Sequence, residues 1–396
     1  MRLAPDLVVA ARQLTAILSL RLLPFVAYAM SSRSTQPRRK VAAAAGYAAI
    51  AALAHTLGAS RTLAFIALGS TYYFALCVGL DGPARWLRTG RITRGALLVA
   101  LFVAFLLIPG VLFPGIAALA FLSFGWEVAL SSYSYCIDTS RTRAATATLG
   151  DRLFFLLVDP TLVFTSRGKR SAIDPGRGGL GRAAAGTAVV FLGLAVLTPA
   201  ATQLRLRGSL SSTAAVAVVT IATCGLAQLV ALYAAHSGLA SVQIGLMKHL
   251  GWSVPERYRY PLFASSPMDF WRRWNTYVRV WLEAYVFLPM ARRAARTSTP
   301  VVGHAVAVIA TLVASGLIHD AVVFAGYQAW VGSRTALFLA SGGLLVAWRL
   351  AGAGRQAVCR RWPALRRVEI EVAVRSLSRV ALAGAVVGAA FVWGRS

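Results

Sequence analysis

Long apolar stretches alternate with short polar segments along most of the chain. A helix of about 20 apolar residues is long enough to cross the hydrocarbon core of a bilayer. Candidate spans of this kind lie at residues 41–58, 62–80, 96–113, 116–134, 184–201, 212–235, 300–323, 335–350 and 376–394. Residues 7–30 form a tenth, weaker candidate, either a span or an interfacial helix. The pattern therefore predicts an all-α polytopic membrane protein with about nine or ten transmembrane helices.

The composition agrees with this interpretation. Of the 396 residues, 58% are hydrophobic and only 14% are charged, whereas soluble domains carry about 25% charged residues. The length alone would allow about two or three soluble domains, but the apolar segments recur throughout. We therefore interpret residues 1–396 as a single membrane-embedded domain.

The net charge of +28 is distributed unevenly between alternate loops. One set of loops holds 31 Lys and Arg residues and the opposite set holds four. The richer set comprises residues 31–40, 81–95, 135–183, 236–299 and 351–375. Basic loops face the cytosol in multi-pass proteins and meet anionic headgroups there. We expect a lipid bilayer rather than nucleic acid as the partner, and the Ala, Arg, Gly and Val bias favours a bacterial inner membrane.

The cysteines and the glycine-rich run do not indicate a metal or nucleotide site. No two cysteines have a metal-type or redox spacing; they are Cys77, Cys136, Cys224 and Cys359. We interpret them as unpaired packing residues and expect no metal site. The run PGRGGLGR, 175–182, lacks the strand-then-helix context of a nucleotide loop. A flexible basic loop is the favoured interpretation, and a phosphate cradle is the alternative.

Chemically rich side chains are concentrated in the run FWRRWN, residues 270–275, within the basic loop 236–299. At 100° per residue, an apolar stripe runs on from Phe270. Its members are Phe270, Trp274, Tyr277, Trp281, Tyr285 and Leu288. This predicts one amphipathic interfacial helix that is capped by Ser266 or Asp269 and ended by Pro289. Asn275 lies on the flank, where it is either a solvated residue of an anchor helix or a functional amide.

A second cluster of polar groups lies inside an apolar span. His319 and Asp320 occur in VASGLIHDAVVFAG, 313–326, and Glu127 occurs in another span. Ionisable residues within a span are functional candidates, and histidine is a natural general base near neutral pH. His319 is therefore either a catalytic base or a structural histidine. The three residues together could instead form the proton path of a transporter, although no inverted repeat is evident.

These two segments together resemble the membrane-bound O-acyltransferase family. Its members carry a [W/R]-x-W-[N/H] motif and, some 40–50 residues later, a histidine in an apolar S-x-x-x-H segment; here Asn275 and His319 are 44 residues apart. The stretch WLEAYVFLP, 281–289, resembles the family's W-x-x-x-x-V-x-x-P. The stretch 151–170 resembles the F-x-x-x-P-T-L-x-[YF] segment of sterol and diacylglycerol acyltransferases, with one more residue between Phe155 and Pro160 and with Val163 in place of a frequent Cys. The asparagine at 275, where other members have histidine, makes the motif similar to that of this branch and of the related wax synthases.

The resemblance implies a function and a role for each site residue. His319 would be the general base, and Asn275 would orient the acyl donor or stabilise the reacting carbonyl. Trp271 and Trp274 would line a reaction tunnel, while Arg272 and Arg273 would hold phosphates. Acyl-CoA would be a co-substrate with no further cofactor, and the acceptor a lipid alcohol, giving wax esters or acylglycerols. A sugar or polyketide hydroxyl is the alternative acceptor.

Overall fold

The structure, a computed structural model, describes residues 5–31, 37–57, 60–113, 115–138, 152–153, 156–157, 179–197, 214–250, 254–327 and 332–361. Within these residues all regular structure is helical, which confirms the all-α prediction. The α-helices are α1 (Pro5–Ser31), α2 (Pro37–Thr56), α3 (Ser60–Gly79), α4 (Asp81–Arg88), α5 (Arg94–Phe102), α6 (Ile108–Leu112), α7 (Gly115–Ile137), α8 (Gly179–Leu192), α9 (Ala214–His249), α10 (Pro267–Arg273), α11 (Thr276–Leu282), α12 (Leu288–Ala294), α13 (Pro300–Tyr327) and α14 (Ser333–Arg361).

Six helical stretches of the described residues are long and apolar enough to cross a membrane. They are Leu7–Val26, Ser60–Arg88, Arg94–Leu112, Gly179–Val196, Val230–His249 and Pro300–Gly326. The chain is thus a polytopic membrane protein, and residues 7–30 contain one of these six candidate spans. The segment predicted to cross at 212–235 lies largely in α9, which continues to His249. The basic loop predicted from residue 236 therefore begins after α9.

Three predicted spans are helical without being among these six. They are 41–58 in α2, 116–134 in α7 and 335–350 in α14. Parts of these helices, and all of 376–394, lie outside the described side chains. The count of nine or ten spans therefore stays a prediction.

The chain divides into two compact units. The first comprises Met1–Pro199, Ala231–Pro255 and Val322–Ala329, and the second comprises Ala200–Val230, Glu256–Ala321 and Trp330–Ser396. The FWRRWN run and His319 both belong to the second unit. Glu127 belongs to the first unit, with the glycine-rich helix pair described below.

Three π-helical segments in the described chain each end two residues before a proline in the sequence. The segments are Val103–Leu107, Gly193–Leu197 and Glu283–Phe287, and the prolines are Pro109, Pro199 and Pro289. A proline inside a helix cannot donate to the carbonyl four residues earlier and clashes with it. A π turn re-routes the backbone hydrogen bonds past such a residue. At Pro109 the carbonyl in question is that of Phe105, and it accepts a hydrogen bond from the Tyr73 hydroxyl.

Helices α8 and α9 approach each other closely at matched glycines in the first unit. A methyl group added at Gly179 would lie 2.7 Å from the Gly245 carbonyl oxygen, and one at Gly186 would lie 2.6 Å from that of Gly238. The pairing shows that the helices run antiparallel. Small residues let membrane helices pack backbone against backbone. In lipid there is no hydrophobic effect to drive helices together, so close van der Waals packing stabilises the pair instead.

This packing corrects the prediction of a flexible basic loop at 175–182. Gly179–Arg182 form the first turn of α8, while 175–178 lie outside the described residues. Gly179 is there because the neighbouring backbone leaves no space for a side chain. The alternative of a phosphate cradle is not supported, since the glycine faces a helix.

Of the four cysteines, Cys77 and Cys136 are buried free thiols, as predicted. The side chains of Cys224 and Cys359 lie outside the described residues.

Candidate active site

The FWRRWN run begins with a short, well-capped helix. Ser266 is the N-cap of α10 and its side chain accepts a hydrogen bond from the Asp269 N–H, which confirms one of the two predicted caps. The Arg273 guanidinium, 2.8 Å from the Asp269 carboxylate, is the main cause that holds the pKa of Asp269 below its usual value. A carboxyl with a lowered pKa stabilises the fold above its unfolded pKa, and that contribution is lost as the pH falls through the folded value.

The helix predicted to run from Phe270 to Leu288 is interrupted, so that prediction is wrong. Trp274 is extended, and Asn275 has left-handed backbone angles, with φ 35° and ψ 65°. Asparagine tolerates this region better than most residues because its short polar side chain can bond locally. Asn275 then serves as the N-cap position of α11. Helical structure continues through the π turn to Ala294, so Pro289 does not end it.

A backing segment, residues 256–259, satisfies the backbone groups that this break exposes. The Arg259 N–H donates to the Arg273 carbonyl at 3.0 Å, and the Thr276 N–H donates to the Arg257 carbonyl at 2.8 Å. The Thr276 hydroxyl donates to the Glu256 carbonyl, also at 2.8 Å. Because buried backbone groups must be paired, these bonds allow the chain to turn sharply at Asn275.

The Asn275 side chain is bonded to the same segment. Arg257 Nε donates to Asn275 Oδ1 at 3.1 Å. Arg257 is only 4% exposed, and its guanidinium lies over the Tyr277 ring at 5.5 Å. Asn275 is therefore half-buried and held by Arg257, and it does not lie on the flank of a continuous helix as the interfacial-anchor hypothesis assumed.

The aromatic residues of the run have different partners. The Trp274 ring stacks on Phe270 at 5.4 Å and meets the edge of Tyr258 at 5.5 Å. The Trp271 ring instead packs against Phe338 of α14, with centroids 5.2 Å apart. Trp271 thus connects the run to a helix far along the chain.

His319 also packs against Phe338. Their ring centroids are 4.8 Å apart. His319 Nδ1 lies 2.7 Å from the Ser315 carbonyl oxygen. A carbonyl only accepts, so Nδ1 carries the proton and Nε2 is the basic nitrogen of the neutral ring. Trp271, Phe338 and His319 form what we call the aromatic bridge, and it brings the predicted base together with the FWRRWN run.

Asp320 positions the helix that supplies Phe338. Its carboxylate accepts hydrogen bonds from the backbone N–H groups of Arg334 and Thr335 and from the Thr335 hydroxyl. Such a contact satisfies unpaired donors in the first turn of α14 and complements the helix dipole. Gly316 permits the approach, because an added methyl group would lie 2.5 Å from Thr335 Cα. Three residues of SGLIHD therefore act on the geometry around His319: Ser315, Gly316 and Asp320.

The two arginines of the run, Arg272 and Arg273, differ in their surroundings. Arg272 is exposed, whereas Arg273 is bonded to Asp269. Sequence reasoning missed Arg257 and Phe338. No motif marks either residue, since each acts through a contact between segments distant along the chain.

Glu127 has its partner in the first unit. Arg21 of α1 reaches it with both terminal nitrogens, at 3.0 and 3.3 Å, and also donates to the Ser123 carbonyl. Both side chains are buried. A paired arginine accounts for a carboxylate within an apolar helix, because breaking such a pair would leave an uncompensated charge.

The chain is a polytopic all-α membrane protein with a histidine bonded within an apolar helix, and known proteins match part of it. The chain is 36% identical over 115 residues to the probable long-chain-alcohol O-fatty-acyltransferase 7 of Arabidopsis thaliana, covering 29% of this chain and 34% of that protein. It is 29% identical over 112 residues to the probable alginate O-acetylase AlgI of Pseudomonas fluorescens, covering 28% and 22%. A third match, AlgI of Azotobacter vinelandii, is 29% identical over 107 residues, covering 27% and 21%.

These relatives are named as O-acyltransferases, which supports the resemblance to the membrane-bound O-acyltransferase family. The matched stretch spans about a third or less of each relative's own length. No protein-family model matches the chain. Most of the stretch 151–170, which resembles one branch of that family, lies outside the described residues.

Proposed function

We propose that the protein transfers an acyl group from acyl-CoA to a hydroxyl acceptor within the membrane. The observation that carries this proposal is His319, whose ring is fixed as the Nδ1–H tautomer in an apolar helix and packs through Phe338 onto Trp271. A base so oriented suits the removal of a proton from a hydroxyl group. An apolar setting would also limit hydrolysis of the thioester.

The proposed reaction has two steps. Nε2 of His319 takes the proton of the acceptor hydroxyl while its oxygen attacks the thioester carbonyl carbon. The tetrahedral intermediate then collapses, the C–S bond breaks, and the CoA sulfur leaves with that proton. The Asn275 amide would donate to the developing oxyanion, a contribution worth about 10²–10³-fold for one donor.

The other predicted residues would bind the donor. Trp271 and Trp274 would form part of the tunnel wall. Arg272 is the better candidate for the CoA phosphates, because it is exposed whereas Arg273 already bonds Asp269. The basic loops would present this donor site to the cytosol, on the inner membrane of a bacterium.

For the acceptor we propose a lipid alcohol, giving a wax ester or an acylglycerol. The name of the plant relative, a long-chain-alcohol O-fatty-acyltransferase, favours this choice. A carbohydrate hydroxyl is the second candidate, since the other relatives are named as alginate O-acetylases. The alternative of a proton-coupled transporter relied on Glu127 and Asp320 as members of a proton path. Structural partners account for both residues, since Glu127 is paired with Arg21 and Asp320 caps α14.

The function can be tested with purified protein in lipid nanodiscs. Acyl-CoA would be supplied with a long-chain alcohol, diacylglycerol or a glycosylated acceptor, and free CoA and the ester product measured. We expect CoA release that depends on one of the hydroxyl acceptors. Release that is equal without an acceptor indicates a hydrolase, and absence of release with every acceptor contradicts the proposal.

The variant Asn275→Asp separates the chemical role of Asn275 from its structural one. Aspartate tolerates the left-handed conformation and can still accept from Arg257, so the variant should fold. It loses the amide donor, and transfer should fall about tenfold or more. The rate per folded protein and the unfolding temperature measure the two effects. A wild-type rate would show that Asn275 serves only to break the helix.

A further inference from the structure

The contact between Arg257 and Asn275 determines which way the Asn275 amide points. A guanidinium group has five N–H donors and no acceptor, whereas an amide presents an oxygen on one side and an NH₂ group on the other. Arg257 Nε lies 3.1 Å from Oδ1. The amide oxygen must therefore face Arg257, which directs the NH₂ group to the opposite side. A flipped amide would place donor against donor.

Arg257 itself has little freedom to move. It is 4% exposed and its guanidinium lies over the Tyr277 ring. Its carbonyl accepts from the Thr276 N–H, the residue directly after Asn275. The side chain and the backbone of Arg257 thus hold both the amide and the helix break that carries it.

This geometry also affects the strength of the amide as a donor. A hydrogen bond from a cation to Oδ1 draws electron density from the amide nitrogen, so the two bonds of the amide reinforce each other. We propose that Arg257 is the positioning residue of Asn275. It fixes the NH₂ group as the donor to the carbonyl oxygen of the reacting acyl group, and it strengthens that donor. The inference rests on the proposed acyl transfer.

A double-mutant cycle tests this role. Arg257→Met keeps an unbranched side chain against Tyr277 but has no donor, and kcat should fall about tenfold or more with little change in the KM for acyl-CoA. Arg257→Met combined with Asn275→Ala should be no slower than Asn275→Ala alone, because Arg257 acts through Asn275. Arg257→Lys, which keeps a cationic donor, should recover part of the loss.

Thr276→Ala is the structural control. It removes the hydroxyl bond to the Glu256 carbonyl and loosens the backing segment, but it leaves the Arg257–Asn275 contact in place. Its kcat should remain within about twofold of the wild type. Equal losses of kcat in Thr276→Ala and Arg257→Met would show that Arg257 acts only by supporting the fold.

The outcomes separate this inference from the proposed function. If wild-type protein transfers acyl groups and the two substitutions have multiplicative effects on kcat, the positioning role is wrong and the function stands. If wild-type protein transfers nothing to any acceptor, both are overturned. Non-multiplicative loss with partial recovery by lysine supports the role.

Discussion

Replacement of His319 by alanine is expected to lower acyl transfer by about 10²–10⁴-fold, the usual contribution of a general base. The Ser315 carbonyl fixes the ring with Nε2 as the basic nitrogen, and no other group in the proposed mechanism can take the hydroxyl proton. The initial rate of CoA release per folded protein measures the effect. His319→Gln should lose as much, because an amide has no basic lone pair in this pH range.

A matched control lies on the same helix. His304 of α13 lies 2.6 Å from an Arg349 nitrogen and packs against Phe287, and it has no role in the proposed chemistry. His304→Gln should therefore transfer at close to the wild-type rate. A wild-type rate in His319→Ala would refute the assignment of the base. Equal losses of transfer rate in His319→Ala and His304→Gln would show that the loss comes from a general disturbance of α13 and not from removal of a base.

Substitution of Gly186 by leucine should have the largest effect on the fold. The first added carbon would already lie 2.6 Å from the Gly238 carbonyl oxygen and 2.8 Å from the Val242 nitrogen. Backbone atoms of a packed helix cannot move aside individually, so α8 and α9 must separate. Overpacking of this kind costs about 1–3 kcal/mol and occasionally more. We expect a lower unfolding temperature and less folded protein in membranes.

Gly181→Leu in the same helix is the control. An added carbon there meets nothing within 4 Å, so the leucine side chain would extend away from α9. Its unfolding temperature should stay close to that of the wild type. If both variants unfold at the same temperature, the close packing of α8 on α9 does not contribute to stability.

The capped start of α10 and the membrane helices could be predicted because their causes are local. The Ser266 side chain caps α10 by bonding Asp269, only three residues further along the chain. A membrane span is recognised by the length of its apolar run alone. The continuous helix from Phe270 to Leu288 was predicted wrongly because its periodicity continues through Asn275. The preference of asparagine for left-handed angles was a signal available in the sequence, but it competes there with a strong apolar stripe.

The sequence by itself determined the class of this protein and its chemically distinctive residues. Apolar runs, the placement of Lys and Arg, and the motifs at Asn275 and His319 are all readable along the chain, because burial in lipid and helix capping act over short distances. The tertiary structure alone decided which groups meet. Arg21 neutralises Glu127 from 106 positions away, Phe338 joins Trp271 to His319, and Arg257 orients Asn275. These contacts depend on how helices and loops pack, and no periodicity along the chain encodes them.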